Sequence, residues 1–168
     1  MSISNYDQVV TGFTHTLKSL SAVLEKAKTH ADANKYEFGV LLSTRLFPDM
    51  FALARQVQLV TDFAKGAAAR LGGIDPPKWE DTETTYEDLQ ARIRKALDFL
   101  ATFKPTQFEG AESRAIELKT PGGTLSFTGQ AFLLHWAIPN FYFHATTAYN
   151  LLRHNGVPIG KFDFLGKV

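Results

Sequence analysis

The chain contains no cysteine, which excludes disulfides, thiolate metal sites and cysteine nucleophiles together. Excess charge of one sign is also missing, since 18 Lys and Arg against 17 Asp and Glu leave a formal net charge of +1. That balance gives no electrostatic footprint for nucleic acid or for an anionic membrane. No apolar run reaches the roughly 18 residues that a membrane span requires. The opening MSISNYDQ lacks the basic and then apolar order of a secretory signal. The expectation is a cytoplasmic protein with neither nucleic acid nor membrane as partner. Phosphate cradles are absent as well: no GxGxxG follows a strand pattern and no Walker-type GxxxxGKS or GxxxxGKT occurs. There is no GxSxG elbow, and the serines show no local pairing with a histidine and an acid.

What is present is a packed globule. A length of 168 residues suits one domain over 1–168, able to bury roughly 70% of the surface of its unfolded chain. The hydrophobic share is 45%, with 14 Phe. Four long segments share a three-four rhythm. In the first, Tyr6, Val9, Val10, Phe13, Leu17, Leu20, Leu24 and Ala27 form one apolar stripe on a helix. His15 lies off this stripe and His30 near its end, so both read as solvated surface residues. The second helix is expected to begin at FPDMFALARQVQ, with Pro48 in the first turn and Asp49 at the positive end of the dipole. Its stripe runs from Met50 through Leu53, Val57, Val60, Ala64 and Ala68 to Leu71, and Gly72 and Gly73 stop it. The following IDPPKWEDTE reads as a loop with an apolar anchor in Trp79, and Glu80, Asp81 and Glu83 read as a solvated acidic cluster.

A third helix is announced by Thr84 with Glu87 three residues later, a capping-box spacing, and Pro105 ends it. The stretch AIELKTPGGTLSFT then changes period from about 3.6 to 2. Ile116 and Leu118 alternate with polar residues, as do Leu125 and Phe127, so a hairpin turning at 120–123 is expected. The fourth helix is expected from Gln130 to Asn155 with Pro139 inside it, which predicts a kink or two abutting helices. The tail VPIGKFDFLGKV carries Phe162, Phe164 and Leu165, which favours docking on its own bundle or on a partner subunit. The fold class read from these patterns is all-α, a four-helix bundle with a short β-hairpin between helices three and four.

The stripe of the fourth helix holds the candidate site. It runs Leu133, Trp136, Asn140, His144, Thr147, Leu151, so Asn140 and His144 stand one above the other on the inward face. Such a pair can converge on one ligand, although a lone His with Asn is more often a hydrogen-bonded core pair. On the second helix, Asp49 and Gln56 lie seven apart and share a face. Dipole compensation explains Asp49, and a polar boundary position or a satisfied buried amide explains Gln56. The candidate ligand pocket is therefore Asp49, Gln56, Asn140 and His144, and a metal set would be Asp49, Asn140 and His144. Tyr142, Tyr149 and Arg153 read as packing and surface residues.

The stretches PDMFALARQVQ, the DP loop followed by DTE, and PNFYFHATTAYNLLRHNGVPIGKFDFLG together resemble a bacterial family of unknown function in the DinB/YfiT-like superfamily. The likeness spans nearly the whole chain. It implies a four-helix bundle with a crossed connection, often a homodimer. Superfamily members with known activities are metal-dependent thiol transferases, isomerases or hydrolases that use three histidines, one early in helix two and two spaced four apart in helix four. His144 matches the second of that pair, Asn140 stands at the first, and the early position falls at Asp49 or Met50. Two of the three imidazoles are thus replaced. Two functional readings follow. One is a small-molecule-binding or accessory bundle without turnover and without a cofactor. The other is an enzyme of thiol-transferase or hydrolase type using a divalent metal, zinc or nickel, on the degenerate set.

Overall fold

The first apolar stripe folds as one continuous helical path. It opens with a π-helical turn over Asp7–Thr11, in which Val9 and Val10 are both buried, and continues as α1, Gly12–Ala33. The computed structural model describes residues 3–120 and 122–167. After α1 come a short α2, Phe38–Leu42, then α3, Leu53–Leu71, and α4, Tyr86–Ala101. The hairpin β1, Ala115–Thr120, and β2, Gly123–Thr128, precedes α5, Gly129–Phe132, and α6, Ile138–His154. A last short helix, α7, covers Lys161–Leu165.

Helices α1, α3, α4 and α6 make the expected four-helix bundle. α3 packs chiefly against α6 and α4, while α1 packs against α4 and α6. Helices α1 and α3 are therefore diagonal, and the connection between them crosses the end of the bundle. Inside, Phe13 of α1 stacks on Phe141 of α6 with ring centroids 3.8 Å apart. The alanines of α3 at positions 64, 67, 68 and 69 are all fully buried, and small side chains let neighbouring helices approach closely.

Several boundaries differ from the sequence reading. α3 starts at Leu53, not at Pro48. The Met50 N–H donates to the Phe47 carbonyl at 3.0 Å, closing a turn with Pro48 and Asp49 as its central residues. Proline's fixed φ suits the second position of a turn as well as the first turn of a helix, and here the turn prevails. The loop is held to the helix start by Leu53 N–H donating to the Thr44 carbonyl at 3.1 Å. Asp49 and Met50 consequently precede the helix. In α4 the capping box is Thr85 with Asp88, one residue later than Thr84 with Glu87. Asp88 accepts from the backbone N–H groups of both Thr84 and Thr85, each at 3.0 Å, a pair of bonds that Glu87 does not make.

The hairpin pairs Ile116 with Phe127 and Leu118 with Leu125. Ile116 and Leu118 are buried on the bundle, whereas Leu125 is exposed. Pro121, part of the expected turn, lies outside the described residues. Gly129 begins α5 where any side chain would collide, because a Cβ there would lie 1.8 Å from the Ala111 carbonyl oxygen. The disturbance expected at Pro139 takes the form of a π-helical turn, Leu133–Ala137, which joins α5 to α6 and leaves proline in the first turn of α6, where its missing donor is not needed. The tail folds back on its own bundle, with Asp163 of α7 paired to Lys26 of α1 at 2.5 Å and Phe164 edge-on to Tyr149 at 5.7 Å. His15, expected in solvent, is half-buried and donates from Nε2 to the Leu165 carbonyl.

Candidate functional site

Gln56 lies in the first turn of α3 and His144 in the middle of α6, the two helices most extensively packed together. Their side chains meet. His144 Nδ1 is 2.7 Å from Gln56 Oε1, and Gln56 Nε2 donates to the Phe51 carbonyl at 3.1 Å. This chain of bonds assigns every proton. The Phe51 carbonyl can only accept, so the amide nitrogen of Gln56 faces it, the amide oxygen faces the imidazole, and Nδ1 must carry the hydrogen. The lone pair of His144 is therefore on Nε2.

His144 is 8% exposed. Its ring stacks on Phe63 with centroids 5.5 Å apart and meets Phe143 edge-on at 5.2 Å. Burial, with a smaller contribution from the Arg55 guanidinium, lowers its pKa from 6.5 to about 4, because both disfavour a second positive charge. The imidazole is neutral at pH 7. Among the described residues no hydrogen bond uses its Nε2, and no fully buried side-chain nitrogen or oxygen lacks a partner. Nε2 consequently sits at the solvent edge of the core, as an acceptor with an aromatic ring on each side.

The other candidates are placed differently. Asn140 is half-buried, but its Nδ2 donates to the Trp136 carbonyl at 2.7 Å, one turn back on its own helical path. Its amide nitrogen is thus committed to backbone, and among the described residues no hydrogen bond joins it to His144. Asp49 is exposed in the turn before α3, and among the described residues no hydrogen bond or ion pair joins it to Gln56, Asn140 or His144. Nor do the described residues contain a group of three His, Asp or Glu placed to hold a metal ion. Of the four candidates, the structure joins two directly, Gln56 and His144.

Sequence reasoning missed two features nearby. Glu80, Asp81 and Glu83 are not merely a solvated cluster, because they surround Arg92 of α4, which is 3% exposed. Its guanidinium reaches Glu83 at 2.9 Å, Asp81 and Asp62 at 3.0 Å each, and the Glu80 carbonyl at 2.9 Å. Nε also donates to Thr61 at 2.8 Å, and Trp79 lies 5.8 Å away. Acidic residues at 80–83 and a basic residue at 92 were the only signal, and spacing alone does not separate such a clasp from a charged surface. The second feature is a cavity of about 210 Å³ lined in part by Phe63, Phe132, Trp136 and Arg70. Phe63 is the wall it shares with the His144 site.

Residues 5–165 match the model of a family described as "Domain of unknown function (DUF1993)". A solved structure described as a DinB family member protein from Shewanella denitrificans is similar over 97% of this chain and 92% of its own. The two are 44% identical with a TM-score of 0.89. No curated protein matches.

Proposed function

The chain belongs to the DUF1993 family, a DinB-like bacterial family of unknown function, and from that premise we propose that it is a cytoplasmic small-molecule-binding or accessory bundle. The observation that carries this reading is the bond between Gln56 and His144. It fixes a neutral imidazole whose Nε2 offers a lone pair at the edge of an aromatic-lined site. Such a group accepts a hydrogen bond from a small apolar molecule carrying a hydroxyl or amine donor. A polar link of this kind also pins the register of α3 on α6, since a one-turn slip would strand two buried polar groups.

Metal-dependent chemistry on Asp49, Asn140 and His144, with zinc or nickel, is the competing reading. The donor set does not fit it. One imidazole is present, Asn140 offers at most a hard amide oxygen, since its nitrogen donates to backbone, and Asp49 stands in an exposed turn. A borderline-soft divalent ion prefers several imidazole or thiolate ligands. Calorimetry on untagged protein separates the two readings. The binding reading expects saturable heat with phenol, little with toluene, and loss of the phenol signal in His144→Leu. Stoichiometric zinc or nickel binding that disappears in the same variant would overturn it.

A further inference from the structure

Arg92 of α4 and Arg70 of α3 contrast sharply. Arg92 is surrounded by three carboxylates. Arg70, in the last turn of α3, has none: among the described residues it forms no ion pair, and only its Nη1 is engaged, donating to the Gly66 carbonyl at 3.2 Å. Since no fully buried side-chain nitrogen lacks a partner, its Nε and Nη2 open on accessible space. Burial pushes the Arg70 pKa down, and Asp75 only partly opposes this. Proximity to the carbonyl end of α3 explains a basic residue here, but not a guanidinium left with two open nitrogens.

Arg70 opens on two hollows. One is the cavity of about 210 Å³, and the other a wider open groove that meets Lys78 and Arg114 but also Asp75 and Glu117. Arg70 and Lys119 line both and therefore stand at their junction. The cavity beyond them is walled by Phe63, Leu118, Phe132 and Trp136. Asp62 borders it too, but its carboxylate is taken by Lys65 at 2.8 Å and Arg92 at 3.0 Å. Gly66 leaves room for the guanidinium, because a Cβ at that position would lie 2.7 Å from Arg70 Nη1.

We propose that this cavity binds a small organic acid, its carboxylate on Arg70 with Lys119 alongside and its aromatic or short aliphatic body against Phe63, Phe132 and Trp136. The guanidinium fork suits the paired oxygens of a carboxylate, and the apolar wall selects against a bare inorganic anion. This site is independent of the His144 reading, with which it shares only the Phe63 ring.

The test is a titration of the full chain at pH 7, followed by calorimetry and by the Trp136 indole N–H resonance. The probes are benzoate, neutral benzamide and inorganic phosphate. Benzoate is expected to saturate one site, with benzamide and phosphate each weaker by about tenfold or more. Arg70→Gln is expected to weaken benzoate by a similar factor, about tenfold. Equal binding of benzoate and benzamide, phosphate binding as tight as benzoate, or no saturable response would overturn the assignment. Because the probe comparison uses unaltered protein, it decides the matter even if Arg70→Gln fails to fold.

Discussion

His144 concentrates the account at the level of single residues. Its pKa is lowered from 6.5 to about 4 by burial, with Arg55 adding to the effect. Between those two values the unfolded chain takes up a proton that the folded ring refuses, so stability falls as the pH falls through this window. Above about 6.5 the contribution is fully present, and below about 4 the loss is complete, amounting to at most about 3 kcal/mol. Chemical unfolding of wild type and His144→Gln at pH 7.5 and pH 4 checks this. The variant is expected to lose less stability across the interval, and an identical loss in both would contradict a depressed histidine. The pairing of Gln56 with His144 was partly legible, since His144 lies on an inward stripe and a buried, satisfied amide was one reading of Gln56. The turning of Asn140 onto the Trp136 carbonyl was not, because spacing places a side chain on a face without choosing between a neighbour and its own backbone.

At the scale of elements, long helices were legible and their ends were not. Burial repeated every three or four residues over fifteen or more positions has no competing explanation, and α1, α3, α4 and α6 followed it. Ends are decided by single local contests. Pro48 suits a turn as well as a helix start, and adjacent Thr84 and Thr85 offer two registers for one cap. Pro139 announced a disturbance, but a π-helical turn resolves it as well as a kink does. The loop before α4 is held by side chains that pattern analysis assigned to solvent. Arg92→Met should therefore release residues 75–85. The expected cost is about 3 kcal/mol, at the low end for a buried ion pair because the carboxylates keep some water. Hydrogen exchange should rise selectively in that loop. Unchanged protection there would show that Trp79, packed among Lys65, Arg92 and Lys95, anchors it alone.

For the whole molecule, order of helices and a long terminal motif carried the family assignment, and the bundle agrees with it. Among the described residues no helix is long and apolar enough to cross a membrane. The family resemblance implies a homodimer, and exposed Phe47, Phe51 and Phe143, at 64%, 53% and 56%, are the apolar side chains through which we propose that one forms. Light scattering is expected to give twice the chain mass, falling to one chain mass in Phe47→Ser with Phe143→Ser; a monomeric wild type would contradict it. The central claim is that a molecule built on this bundle uses one neutral, inward-held imidazole as an acceptor rather than three imidazoles as metal ligands. Its most direct measurement is a nitrogen-resolved spectrum of all five histidines at pH 7, recorded with and without phenol. The account predicts His144 protonated on Nδ1 and bare on Nε2, with its Nε2 resonance moving on phenol addition while those of His135 and His154 stay fixed. A His144 protonated on Nε2, or one indifferent to saturating phenol, would contradict it.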